Sequence, residues 1–108
     1  MILFGIPTCD TCRKARKTLE AAGKMVEFRD VRAAPLTGAE RATFLDSFGE
    51  ALINKRSTSW RQLSEDARAA APDALLAAHP TLMKRPVLQD GEQRTLGWDK
   101  AAQAVWLG

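Results

Sequence analysis

The sequence predicts a mixed α/β fold in which a βαβ half and a ββα half flank a helical insert. Three observations support this prediction. Two short apolar runs near the N-terminus are separated by an amphipathic helical pattern. The region from about 37 to 79 carries helix-start signals and helical spacing. The C-terminal part has the pattern of a β-hairpin followed by a helix.

The first strand and the first helix are predicted at the N-terminus. Residues Ile2–Gly5 form a short apolar run that stops before Pro7, which is typical of a buried strand. A tight turn over residues 6–9 follows. From Asp10 onward, apolar residues recur with the spacing of one helix face, and Gly23 is placed to end that helix.

The second strand is predicted within residues 25–31, where apolar and charged residues alternate loosely. A helical crossover between two strands makes them parallel, which gives a βαβ unit. Helix-start signals then open the insert. Thr37 is followed three residues later by Glu40, which is a capping-box pattern, and Pro72 suits the first turn of a further short helix.

The last part of the chain is predicted to form a hairpin and a helix. Residues 86–88 and 94–96 are the two strand segments, and Asp90 and Gly91 supply the turn between them. Asp99 is placed to cap the final helix.

Length and composition favour one domain over residues 1–108. A chain of 108 residues has no room for a second independent domain, and 45% apolar with 27% charged residues is ordinary for a globular protein. The net charge of +3, from 16 basic and 13 acidic residues, is slight and scattered. We therefore expect no nucleic acid partner, and we expect the local basic clusters to be solvated surface.

We expect a cytoplasmic protein that does not bind a membrane. The chain begins Met-Ile-Leu-Phe and runs at once into polar, turn-forming residues, without the charged and long apolar segments of a signal peptide. No apolar stretch approaches the length of about 20 residues that spans a bilayer. In a reducing compartment, the two cysteines, Cys9 and Cys12, indicate catalysis or metal binding rather than a structural disulfide.

Cys9 is the candidate nucleophile. A thiol reacts as its thiolate, and a free cysteine with a pKa of about 8.5 is mostly protonated at neutral pH. Cys9 falls where the first helix begins, so unpaired backbone N–H groups and the helix dipole favour its anion. Cys12 lies about one turn further on and is expected to be more buried. We predict that Cys9 attacks a disulfide or an electrophilic oxyanion, and that Cys12 then closes a Cys9–Cys12 disulfide.

Two other interpretations of the cysteine pair remain open. A Cys-x-x-Cys motif can hold zinc, but a structural zinc site needs four ligands, and His79 is the only further good candidate. The two cysteines can also be unreactive residues at a turn. A histidine before proline at a helix end gains from the helix dipole, so we expect His79 to be structural.

The chain closely resembles the arsenate reductase-like family of thioredoxin-fold proteins. The resemblance rests on GIPTCDTCRKA at residues 5–15 and HPTLMKRPV at residues 79–87. Two further stretches, NKRSTSW at 54–60 and LGW at 96–98, match the YffB-type branch of that family. The similarity therefore covers nearly the whole chain. It implies a thioredoxin-like (glutaredoxin-like) fold with a catalytic cysteine at Cys9.

The resemblance also implies the remaining site residues. In the family, the pair matching Arg85 and Pro86 places an arginine beside the active cysteine and a cis proline before the next strand. Arg56 lies where the branch carries an arginine near the active site. Together with Arg13, which follows the cysteine motif directly, these arginines are the predicted binding groups for substrate carboxylates. Pro86 completes the predicted set of substrate-binding residues.

The YffB-type resemblance implies a glutathione-dependent thiol reductase. We expect no bound cofactor and no metal, with glutathione as co-substrate, glutathione or protein mixed disulfides as partners, and a monomeric state. Two alternatives remain. The family includes the Spx regulators, which bind RNA polymerase and use a Cys-x-x-Cys as a redox switch, although this chain is shorter at its C-terminus. It also includes true arsenate reductases, but Asn54 and Trp98 stand where those enzymes carry two of their three arginines.

Overall fold

Four short strands form one mixed sheet in the computed structural model, which describes all 108 residues. The strands are β1 (Ile2–Gly5), β2 (Glu27–Asp30), β3 (Val87–Asp90) and β4 (Gln93–Leu96), in the order β2-β1-β3-β4. β1 and β2 are parallel, whereas β3 runs antiparallel to both β1 and β4. The predicted βαβ and ββα halves are thus confirmed, and they meet where β1 pairs with β3.

Two helices accompany this sheet. α1 (Asp10–Ala21) crosses over from β1 to β2, and Gly23, with a φ of 85°, follows its end as predicted. α6 (Lys100–Leu107) begins after Asp99, whose carboxylate accepts a hydrogen bond of 2.9 Å from the backbone N–H of Ala102. The predicted cap of the last helix is therefore confirmed.

The sheet and its helices share one apolar core. Leu3 of β1 and Leu88 of β3 pair across the two strands, and both are fully buried. The side chains packed with them come from α1 and α6: Cys12, Ala15, Leu19 and Trp106. One of the two cysteines is therefore part of the hydrophobic core.

The chain divides into two compact units. One consists of Met1–Val31 and Arg85–Gly108, and it contains the sheet with α1 and α6. The other, Arg32–Lys84, contains the helices that the sequence assigns to the insert. These are α2 (Gly38–Phe48), α3 (Thr58–Arg61), α4 (Glu65–Arg68) and α5 (Pro72–Ala78), with 3-10 turns at Gly49–Leu52 and Pro80–Leu82. That the two units make up a single domain stays a prediction.

α2, the first helix of the second unit, begins with the helix cap that the sequence predicts. The Thr37 hydroxyl accepts a hydrogen bond from the Glu40 backbone N–H at 3.1 Å, and the Glu40 carboxylate accepts one from the Thr37 N–H at 2.8 Å. Arg41 connects this helix to α5 through an ion pair of 2.8 Å with Asp73. Pro72 occupies the first turn of α5, as predicted.

The arrangement of the sheet, α1 and α6 confirms the thioredoxin-like fold class. None of the helices combines the length and the apolar character needed to cross a membrane.

Candidate active site

Cys9 lies at the junction of a tight turn and α1. Its backbone N–H donates to the carbonyl of Ile6 at 3.1 Å, which closes the turn over residues 6–9. Its own carbonyl accepts from the N–H of Arg13 at 3.0 Å, which is the first hydrogen bond of the helix. With φ −80° and ψ 117°, Cys9 has the extended backbone of an N-cap residue. The position predicted from the sequence is confirmed.

The surroundings of Cys9 favour its thiolate. Partial burial by itself raises the pKa of the Cys9 thiol. Hydrogen bonds from the backbone and the thiol of Cys12 and from the side chain of Arg85, together with the positive charge of Arg85, outweigh this effect. The net result is a pKa of Cys9 below the ordinary value of a cysteine.

Cys12 has the opposite environment. Its side chain is fully buried, and burial raises the pKa of the Cys12 thiol to about 12. That value is the net result: the hydrogen bond to Cys9 and the charge of that residue contribute to the rise, and the Ile6 backbone and Arg85 oppose it. Both cysteines are free thiols in the structure. The two sulfurs are therefore unequal, with the more readily ionised one at the helix start and the less readily ionised one in the core.

Gly5 leaves room for the sulfur of Cys12. A Cβ atom at Gly5 would lie 2.5 Å from Sγ of Cys12 and 3.2 Å from its Cβ. No side chain fits into that space, so the last residue of β1 has to be glycine for Cys12 to pack where it does. This role was not predicted from the sequence, because only the packing of α1 on β1 reveals it.

Arg85 and Pro86 are brought to the cysteines, although they are distant in sequence. The peptide bond between them is cis, as the family resemblance implies. Pro86 is buried at the start of the segment that leads into β3, and its carbonyl accepts from the N–H of Gly97 at 2.8 Å. Arg85 acts on the sulfur of Cys9 through a hydrogen bond and through its charge. Of the three predicted arginines, Arg85 is the one whose effect on Cys9 is evident.

Arg13 is committed to another partner. Its guanidinium forms an ion pair with the carboxylate of Asp10, one turn earlier on the same helix. The sequence leads us to expect an added positive charge behind the cysteine pair, but Asp10 offsets that charge. The sequence carries the signal for this pair, which is two opposite charges at a helical spacing of three.

Arg56 lies in the second unit. Its side chain is exposed, and its backbone N–H donates to Oδ1 of Asn54 at 3.0 Å. The predicted role of Arg56 in substrate binding stays a prediction.

No three side chains among the histidine, cysteines and carboxylates are grouped so that they could hold a metal ion. His79 ends α5, where its backbone N–H donates to the carbonyl of Leu75 at 2.8 Å.

The chain as a whole is similar to known proteins. The sequence model of the ArsC family matches residues 4–104. An uncharacterized protein of Haemophilus influenzae is 38% identical over 96 residues, which is 83% of this chain and 84% of that protein. The global transcriptional regulator Spx of Streptococcus agalactiae is 27% identical over 104 residues, which is 91% of this chain and 76% of the regulator. Among solved structures, the YffB protein matches with a TM-score of 0.90 at 29% identity, over 99% of this chain and 98% of that one.

Proposed function

Because the chain belongs to the ArsC family, we propose that it is a thiol–disulfide oxidoreductase that uses glutathione as its reductant. The observation that carries the proposal is the inequality of the two sulfurs. Cys9 is partly exposed and its pKa is lowered, whereas Cys12 is buried and its pKa is raised to about 12. An exposed thiolate next to a protonated thiol suits a nucleophile and a resolving group.

In the first step, the thiolate of Cys9 attacks one sulfur of a disulfide substrate. A new S–S bond forms between Cys9 and that sulfur, and the substrate's own S–S bond breaks. The second substrate sulfur leaves with the bonding electron pair as a thiolate and takes a proton from water. Arg85, which donates a hydrogen bond to the sulfur of Cys9, holds the attacking group in its ionised form.

In the second step, Cys12 resolves the mixed disulfide. The negative charge on Cys9 is lost when the mixed disulfide forms, which removes one of the causes that raise the pKa of Cys12. Cys12 then releases its proton to solvent and attacks the sulfur of Cys9, and the remaining substrate half leaves as a thiolate. The resulting Cys9–Cys12 disulfide is reduced by two molecules of glutathione, which are oxidised to glutathione disulfide.

Glutathione and its mixed disulfides carry carboxylates, and guanidinium groups bind carboxylates through paired, charge-assisted hydrogen bonds. We assign that role to Arg85, which precedes Pro86, and to Arg56; Arg13 can join them only when its ion pair with Asp10 opens. The reaction needs a supply of reduced glutathione, so the proposed location is the cytoplasm.

Trapping the mixed disulfide tests this function. The Cys12→Ser variant, treated with glutathione disulfide and analysed by mass spectrometry, should accumulate one glutathione on Cys9. The wild-type protein should pass instead to an internal Cys9–Cys12 disulfide without added mass from glutathione. Serine keeps a hydrogen-bond donor at position 12, so the environment of Cys9 is retained. Absence of glutathione from Cys9 in the variant would rule out the enzymatic proposal.

The similarity to the Spx regulator supports a second candidate, a redox-sensing regulator that binds RNA polymerase. In that case the same two sulfurs would form a switch rather than a turnover site. Pull-down of polymerase subunits by the reduced and the oxidised protein discriminates between the two functions. A regulator would retain the subunits in one redox state, whereas an oxidoreductase would retain them in neither.

Arsenate reduction is the third candidate, because the ArsC family bears the name of that activity. Asn54 and Trp98 replace two arginines expected in such an enzyme, so we propose arsenate as a poor substrate. Arsenate-dependent oxidation of glutathione in the presence of the protein measures this directly.

A further inference from the structure

Asp10 lies between Cys9 and Arg13 in the sequence and is the ion-pair partner of Arg13. It follows Cys9 directly and is the first residue of α1. Its carboxylate is 92% exposed and pairs with the guanidinium of Arg13, which is 64% exposed. Both charges therefore lie at the surface, on the turn of helix that starts at Cys9.

The two arginines near the cysteine motif are used differently. Arg85 acts on the sulfur of Cys9 through a hydrogen bond and its charge. Arg13 is joined to Asp10, so the charges of this pair cancel. A negatively charged substrate at Cys9 has to displace the carboxylate of Asp10 before it can pair with Arg13.

We propose that Asp10 is a specificity-determining residue that makes Cys9 discriminate against disulfides carrying negative charge near the reacting sulfurs. The inference rests on the proposed thiol–disulfide exchange at Cys9. Asp10 acts electrostatically: its ion pair neutralises Arg13 and keeps that guanidinium from binding anionic groups close to Cys9.

The size of the effect follows from the exposure of the pair. In water, a unit charge on the protein at about 7 Å from a unit charge on the reagent changes the interaction energy enough to alter the reaction rate about threefold. A disulfide with two carboxylates should respond more strongly, by about tenfold, and the effect should shrink as salt screens the charges. A neutral disulfide should hardly respond.

The test compares three disulfide reagents with the Asp10→Asn variant in the Cys12→Ser background. The reagents are anionic 5,5′-dithiobis(2-nitrobenzoate), neutral 4,4′-dithiodipyridine and cationic cystamine. Glu20→Gln is the matched control, because Glu20 is also an exposed carboxylate on α1 and pairs with Arg16 at 3.6 Å. The Glu20→Gln substitution removes the same negative charge as Asp10→Asn, at a position further from Cys9.

We expect Asp10→Asn to accelerate the anionic reagent by about threefold to tenfold, to slow cystamine, and to leave the neutral reagent within about twofold. Glu20→Gln should leave all the ratios between reagents unchanged. A purely structural Asp10, which stabilises the start of the helix, would lower the melting temperature without changing those ratios, and that result would overturn the inference. If Cys9 reacts with none of the reagents even in the parent variant, the proposed function itself fails.

Discussion

Gly5 and Cys12 are in such close contact that a Cβ atom on Gly5 would lie 2.5 Å from the sulfur of Cys12. The last residue of the first strand thus supports the buried cysteine, while the N-cap position of the following helix holds the reactive one. One strand–turn–helix connection positions both sulfurs. Their different environments follow from this local geometry, because one sulfur faces the core and the other faces the start of the helix.

The first prediction concerns this contact. Gly5→Ala should lower the free energy of unfolding by about 1–3 kcal/mol, because the added methyl group overpacks the core at Cys12. Chemical denaturation measures the change. Gly38→Ala is the matched control, since the nearest atom to a Cβ at Gly38 is a flexible arginine nitrogen at 3.5 Å. It should leave the free energy of unfolding unchanged or slightly raised.

A double variant tests whether the cost arises at the sulfur. Cys12→Ala removes the atom that a methyl at Gly5 would meet, so Gly5→Ala should cost less in the Cys12→Ala background than in the wild type. Equal costs in the two backgrounds would show that Sγ of Cys12 is not the reason for glycine at this position.

The second prediction concerns Arg85. Its replacement by glutamine removes a charge and a charge-assisted hydrogen bond from the thiolate of Cys9, and the pKa of Cys9 should rise. Alkylation of Cys9 by iodoacetamide at neutral pH should slow by about tenfold in the Cys12→Ser background. Lys84→Gln changes the net charge equally at the neighbouring, exposed residue and should have little effect. Equal slowing by both substitutions would reduce the role of Arg85 to its contribution to net charge.

The third prediction concerns stability at alkaline pH. Burial raises the pKa of Cys12 from 9.0 to about 12, so between these values the folded protein keeps a proton that the unfolded chain loses. The Cys12 contribution to stability is therefore complete below pH 9 and is lost as the pH rises toward 12. The expected slope is about 1.4 kcal/mol per pH unit.

Denaturation curves of the wild type and Cys12→Ala over this pH range isolate that contribution. Cys9 loses a hydrogen bond from Cys12 in the variant, so the slopes are compared toward the upper end of this range, above the titration of Cys9. The other groups titrate equally in both proteins, and the difference between the slopes there belongs to Cys12. The contribution of Cys9 to stability has the opposite sign. Because the pKa of Cys9 is lowered in the folded protein, this contribution grows as the pH rises to the pKa of Cys9 in the unfolded chain and is constant above it. Parallel curves for the two proteins would contradict the raised pKa of Cys12.

Local features of the fold could be predicted from the sequence. Turn residues, caps and helix-ending glycines act over a few positions, and the predicted caps at Thr37 and Asp99 are both present. The position of Cys9 as an N-cap residue belongs to the same class. These predictions succeed because the relevant hydrogen bonds join residues about three apart.

Long-range features of the site could not be predicted in the same way. The approach of Arg85 to Cys9 depends on β3 pairing with β1, and only the family resemblance indicated it beforehand. The need for glycine at position 5 depends on how α1 packs on the sheet. The ion pair of Asp10 with Arg13 is a local feature, because opposite charges three residues apart on a helix are close enough to pair.

The most direct test of the account is a titration of Cys9 in the Cys12→Ser variant, followed by the ultraviolet absorbance of the thiolate. We expect a pKa of Cys9 below that of the same cysteine in the unfolded chain, and a rise of this pKa when Arg85 is replaced by glutamine. A pKa at or above the unfolded value would contradict the claim that the start of α1 and Arg85 hold the sulfur as a thiolate.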